Sequence, residues 1–129
     1  MKHRISLRGS CLLAVLAAIA LSPRPAFAHH GWGENETKLS DIAGTVTTGV
    51  SLAGPHATMK IKDAEGHTWD VTLAPPARTQ QAGVKEGMIP VGAMVMVHGN
   101  RNKNPKTFEI KVTRVTYNGT VYKIYPDRE

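Results

Sequence analysis

The sequence predicts an all-β fold, a small barrel with one short helix, and three observations carry that prediction. Val, Ile, Leu and Met recur at every second position in several short runs, the pattern of strands with one buried face. Turn sequences built from Gly, Pro, Asn and Asp separate those runs at short intervals. Only one stretch, between two prolines and two glycines in the middle of the chain, has a helix-compatible composition.

Taken in order, Ser40 to Leu52 sets Ile42, Val46, Val50 and Leu52 among Thr and Gly, which suits a long first strand with a bulge at Gly44 or Gly49. Ala53-Gly54-Pro55 turns the chain. Thr58 to Asp63 alternates Met59 and Ile61 inward with Thr58, Lys60 and Lys62 outward, and Asp63-Ala64-Glu65-Gly66 supplies a hairpin turn. His67 to Leu73 repeats the alternation through Trp69, Val71 and Leu73. After Pro75-Pro76, Ala77 to Val84 reads as a short helix, with Thr79 as its cap and Gly87 near its stop. Gly92 to Gly99 is a fourth strand and Thr107 to Val115 a fifth. Asn118-Gly119 is a tight turn into a last strand around Val121 to Tyr125. Three strands, a helix, then two or more strands resembles the order of the five-stranded Greek-key barrel called the OB-fold, with an SH3-like barrel or an open sandwich as the alternatives that order alone leaves open. Closing the barrel would remove the edges that so many short strands otherwise expose. His29 to Lys38 is polar and without periodicity, so residues 29–39 are expected as an arm and 40–129 as a single OB-like domain.

Residues 1–28 read as an export signal. Lys2, Arg4 and Arg8 form a positive start, Cys11 to Leu21 an apolar run, and Ala26 and Ala28 the small residues of a cleavage site. A membrane anchor needs about 20 continuous apolar residues, and this run has about half that before Pro23-Arg24-Pro25. Cys11 precedes the apolar run, so no lipid anchor is implied. The expected location is periplasmic, with cleavage after Ala28.

Cleavage would leave 101 of the 129 residues, enough for one small domain. Four of the sixteen Lys and Arg lie in the signal, so the net charge falls from +6 to +2. That balance does not predict a nucleic-acid partner. The one cysteine also departs, so disulfides and thiolate metal sites are excluded. Any metal site must use nitrogen, oxygen or methionine sulfur.

His29-His30, Gly44-Thr45-Val46, Gly54-Pro55-His56, Trp69, the Pro75 to Gly83 segment and the Val91-Gly92 to Gly99 strand together resemble a family of small exported bacterial proteins known as a domain of unknown function. Its members typically open with His-His after the signal and carry Asn-Pro-His after the first strand; here Gly54 stands in place of that Asn. The resemblance covers nearly the whole mature chain and implies a periplasmic β-barrel.

The chemistry most specific to this sequence lies at the cleavage site. A chain beginning at His29 offers a free α-amine and an imidazole to one metal ion, and a ring nitrogen from His56, stiffened by Pro55, completes a histidine brace. Amine and imidazole suit Cu(II), so copper is the expected cofactor. His30 could take the place of His56, and His98 is a candidate third ligand. His67 begins the third strand beside the hairpin turn, whereas His56 is at the open end, so the two are expected apart. Met94 and Met96 share a face at period two, with packing the expected role and Cu(I) ligation the alternative. Neither Ser40 nor Ser51 stands in a nucleophile motif, and Glu34, Glu36, Asp63, Glu65 and Asp70 form no paired-carboxylate pattern, so the expectation is a binding protein rather than an enzyme. The reading of a different class is a metal-free accessory module whose barrel face recognises a peptide, a saccharide or a periplasmic partner protein.

Overall fold

A computed structural model describes residues 31–129; the expected signal segment, His29 and His30 lie outside the described residues. Six strands, β1 (Asn35–Ser51), β2 (Thr58–Lys62), β3 (Thr68–Thr72), β4 (Met94–Asn102), β5 (Glu109–Tyr117) and β6 (Thr120–Lys123), form the sheet. One helix, α1 (Pro76–Gln81), follows β3, and a 3-10 turn (Pro126–Arg128) ends the chain. The strands lie in the order β3-β2-β1-β4-β5-β6, and a parallel pairing of β3 with β5 closes them into a near-barrel ring. This is the OB-like topology expected, with the helix between the third and fourth strands.

β1 makes closure possible by serving two partners. Its first part pairs with β4 as far as Thr45↔Met94, and its second part pairs with β2 from Thr45↔Lys62 onward. Register shifts between Val46 and Thr48 and between Thr48 and Ser51 bend it, the second interval containing Gly49. Gly44 has a different task, since a Cβ there would lie 2.9 Å from the Lys62 carbonyl oxygen. The strand also starts earlier than the arm reading allowed. Residues 35–39 belong to β1 because backbone pairing and asparagine side chains hold them, neither of which leaves a hydropathy pattern. Asn35 donates to the Asn100 carbonyl at 2.8 Å, and Asn100 donates back to the Glu36 carbonyl at 2.9 Å across an irregular stretch of the ladder.

The alternating residues of β2 and β3 point as expected, with Met59, Ile61, Trp69 and Val71 in the core and Thr58, Lys60 and Lys62 exposed. Val95, Val97, Ile110, Val112 and Val115 complete the core from β4 and β5. The alternation of β4 therefore turns Met94 and Met96 outward, 67% and 40% exposed, against the packing role expected for them.

The helix differs from its expected span in both ends and in its cap. It starts at Pro76, whose missing N–H costs nothing in a first turn. It stops at Gly83 rather than Gly87: Gly83 takes φ +97°, its N–H reaches the Gln80 carbonyl at 2.9 Å, and the Val84 N–H reaches the Thr79 carbonyl at 3.1 Å. Those two bonds close a Schellman motif. Thr79 lies inside the helix, fully buried, with its hydroxyl donating to the Ala74 carbonyl at 2.8 Å. At the other end of the chain, Asn118 (φ 50°) and Gly119 (φ 78°) make the expected tight turn between β5 and β6.

Candidate functional site

The described chain begins pinned to the barrel. The Gly31 carbonyl accepts from Lys111 Nζ at 2.5 Å, and the Gly33 carbonyl accepts from Lys103 Nζ at 2.7 Å. Trp32 packs edge-to-face on Tyr125 at 5.4 Å between ring centroids. Lys111 Nζ and the Arg128 guanidinium lie 5.4 Å and 4.3 Å from the Trp32 ring centre, and Arg78 from α1 lies 5.0 Å from that of Tyr125. These contacts join the amino-terminal segment, β5, α1 and the carboxy-terminal turn through two aromatic faces and three cations. Burial is the main influence on both titrating members of the cluster, pulling the Lys111 ammonium below its usual value and pushing the Tyr125 hydroxyl above it.

His56 closes the turn after β1 and is half-buried. Beside it, Ala57 is fully buried, donates to the Ala74 carbonyl at 2.9 Å and accepts from the Leu73 N–H at 2.8 Å. Two residues on, Thr58 pairs with Thr72, and Thr72 pairs with Lys111. The lysine that holds Gly31 is therefore two strands from the strand start that follows His56, a backbone separation of about 10 Å. This row of three strands brings the amino-terminal segment and His56 to one side of the barrel.

His98 sits elsewhere. It pairs with Asp41 and Arg114 across the ladder, and Asp41 precedes Ser51, the β1 partner of Thr58, by ten positions. Its Nδ1 lies 2.5 Å from Asp41 Oδ1, with the imidazole 14% exposed. The structure does not join His98 to the His56 turn.

His67 lies at the hairpin end of β3, remote from His56, as the strand count predicts. Its ring stacks on Phe108 at 4.2 Å, and its Nδ1 is 3.4 Å from Asp63 Oδ2 and from Glu65 Oε2. Asp63, Glu65 and His67 are the one cluster of three such side chains among the described residues whose potential ligand atoms all lie within 4.8 Å. Asp63 is already engaged by the fold. It accepts from the Glu65 and His67 backbone N–H groups at 2.9 Å each and from the Trp69 indole at 2.8 Å. Those donors, the indole first, hold its carboxyl below the usual carboxylate range, and the trio functions as the lock of the hairpin.

Sequence reasoning did not find the Trp32 cluster or the Asp41 partner of His98. No local spacing signals either one, because each assembles residues from elements far apart in the chain.

No curated protein matches the chain. Two of the solved structures that resemble it illustrate the likeness. A crystal structure of apo TiaS, a tRNAIle2 agmatidine synthetase, matches at a TM-score of 0.48 with 17% identity, over 62% of this chain and 18% of its own. The S. pombe Stn1–Ten1 complex matches at 0.47 with 15% identity, over 61% of this chain and 57% of its own. This chain thus spans under two thirds of either neighbour. The pattern of the Family of unknown function (DUF6152) matches residues 16–111, and the chain belongs to that family.

Proposed function

We propose that the protein is exported to the periplasm, is cleaved after Ala28, and binds Cu(II) through the α-amine and ring of His29 together with the ring of His56. The observation that supports this reading is the anchoring of Gly31 to Lys111, two strands from the strand start after His56. Two Cα–Cα steps separate His29 from Gly31, a reach of at most roughly 7 Å, which suits a site formed where the amino terminus meets the His56 turn. Holding Gly31 and Trp32 against the barrel lowers the ordering cost of such a site, since fewer residues remain to be ordered when it forms. His30 remains the alternative partner for His29.

Binding must displace protons from an amine with a free pKa of about 7.7–8.0 and from imidazoles near 6.5, so affinity falls as pH falls. The test is Cu(II) titration of protein beginning at His29, beside a control with one extra residue before it. Loss of tight one-to-one binding in the control is the expected result, because the extension moves the amine away from the ring. Equal affinity in both proteins would overturn the brace.

A further inference from the structure

The β2–β3 hairpin turns through Asp63-Ala64-Glu65-Gly66-His67, and three of those five side chains carry metal-ligating atoms. The backbone holds the turn without any ligand. The Asp63 N–H donates to the His67 carbonyl at 2.9 Å, the Gly66 N–H donates to the Asp63 carbonyl at 3.1 Å, and Gly66 takes φ +87°. Asp63, Glu65 and His67 thereby offer ligand atoms that all lie within 4.8 Å of one another.

The spacing of those atoms suits an ion better than a shared proton. His67 Nδ1 lies 3.4 Å from Asp63 Oδ2 and 3.4 Å from Glu65 Oε2. A charge-assisted bond from nitrogen to carboxylate closes to about 2.7–2.9 Å, and one proton on Nδ1 can serve only one of the two oxygens well. Atoms held about 2.0–2.1 Å from a tetrahedral ion stand about 3.3 Å apart. Two of the three edges are therefore already at ligand spacing. The third, between the carboxylates, must close by at most about 1.5 Å to reach it, and Glu65, 80% exposed, has the room to move.

The other two ligands are positioned by the fold. Asp63 Oδ1 takes the Glu65 and His67 backbone donors, and the Trp69 indole takes one lone pair of Oδ2 at 2.8 Å, which leaves the second lone pair for an ion. Donors of this kind are the outer support that orients ligating carboxylates in metal sites. The His67 ring lies on Phe108 with 13° between the planes, and Phe108 stands edge-on to Trp69 at 5.2 Å, so packing against the core sets the imidazole plane. Asp63 and His67 are half-buried and Glu65 forms the open side, where an ion can enter and keep water in a remaining position.

One imidazole and two carboxylates at tetrahedral spacing match the donor set and geometry of Zn(II). We propose that Asp63, Glu65 and His67 bind Zn(II) at the tip of the β2–β3 hairpin and that the ion tightens the lock already formed there. The site goes beyond the His29–His56 reading and shares no ligand with it. Either can fail alone.

The test is Zn(II) titration of the chain beginning at His29 and of the same chain with one extra residue before it, followed by 15N NMR of the imidazoles. In both proteins the His67 Nδ1 signal should move and saturate at micromolar zinc while that of His98 stays. Glu65→Gln keeps the backbone N–H bond to Asp63, so the zinc-free urea midpoint of the extended chain should not change. Its affinity at His67 should fall by more than the roughly tenfold that loss of an outer support costs, and the rise in midpoint that zinc gives the parent should disappear. His67→Gln should lose that rise as well. A His67 Nδ1 signal unmoved below millimolar zinc, or equal zinc affinity in Glu65→Gln, would overturn the site and leave the trio as an ion pair of protonated His67.

Discussion

Gly99 tests the closure of the barrel by a single methyl group. A Cβ at this position would lie 2.0 Å from the Lys111 carbonyl oxygen, 2.6 Å from Val112 Cα and 2.8 Å from the Lys111 carbonyl carbon. Ordinary contact between such atoms begins near about 3.5 Å, so β4 and β5 must part by more than about 1 Å. All three obstacles are backbone, and no rotamer change relieves them. The ladder continues from Gly99↔Val112 through Asn100↔Lys111 and Arg101↔Ile110, beside the register shift between His98 and Gly99. Weakening two or three of its hydrogen bonds, at about 1 kcal/mol each, on top of overpacking of about 1–3 kcal/mol, gives an expected loss of about 3–6 kcal/mol for Gly99→Ala. In a domain of this size that lowers Tm by about 12 °C or more. The assay is urea and thermal unfolding beside Gly49→Ala. There the nearest atom to a new Cβ is the Ile89 carbonyl oxygen, at 3.6 Å, and φ is not positive. Gly49→Ala should be neutral or stabilise by about 0.5 kcal/mol through the unfolded chain. A Gly99→Ala protein within about 0.5 kcal/mol of the parent would refute the claim that this crossing requires glycine.

Three further outcomes are expected. Because the Trp69 indole holds the Asp63 carboxyl below its usual range, the associated stability is complete above the ordinary carboxylate range near pH 4 and is lost as pH falls through the folded-state value. The urea midpoint should therefore drop on acidification, and Asp63→Asn, measured across the same pH series, should remove that part of the slope. Thr79→Val leaves shape intact but deletes the hydroxyl bond to Ala74, whose carbonyl still accepts from the Ala57 N–H, so chemical unfolding should show a loss of about 1 kcal/mol. Trp32→Ala should speed amide exchange at residues 31–34 and weaken Cu(II) binding while leaving exchange in β2 and β3 unchanged; unchanged Cu(II) affinity would mean that anchoring of the amino terminus does not contribute to the site.

The sequence determined the parts of this protein that depend on neighbours in the chain. Alternation placed Met59, Ile61, Trp69 and Val71 in the core, because side chains of a strand point to opposite faces. Asp63 to Gly66 and Asn118-Gly119 specified their turns through side-chain oxygens and tolerance of positive φ. Strand and helix order gave the OB-like ring, since a bent first strand and a helix after the third leave few ways to close the sheet. Where signals compete, the chain alone was ambiguous: Gly83 and Gly87 both have positive φ, and only Gly83 lies where its N–H and that of Val84 meet the last helical carbonyls. The polar stretch 35–39 joined β1 through asparagine bonds to β4, a partner 60-odd positions away. In the same way the face of Met94 and Met96, the Asp41 support of His98 and the cations around Trp32 were settled by register and closure. Local pattern says which face a residue takes, but only the folded sheet decides which distant residues share that face.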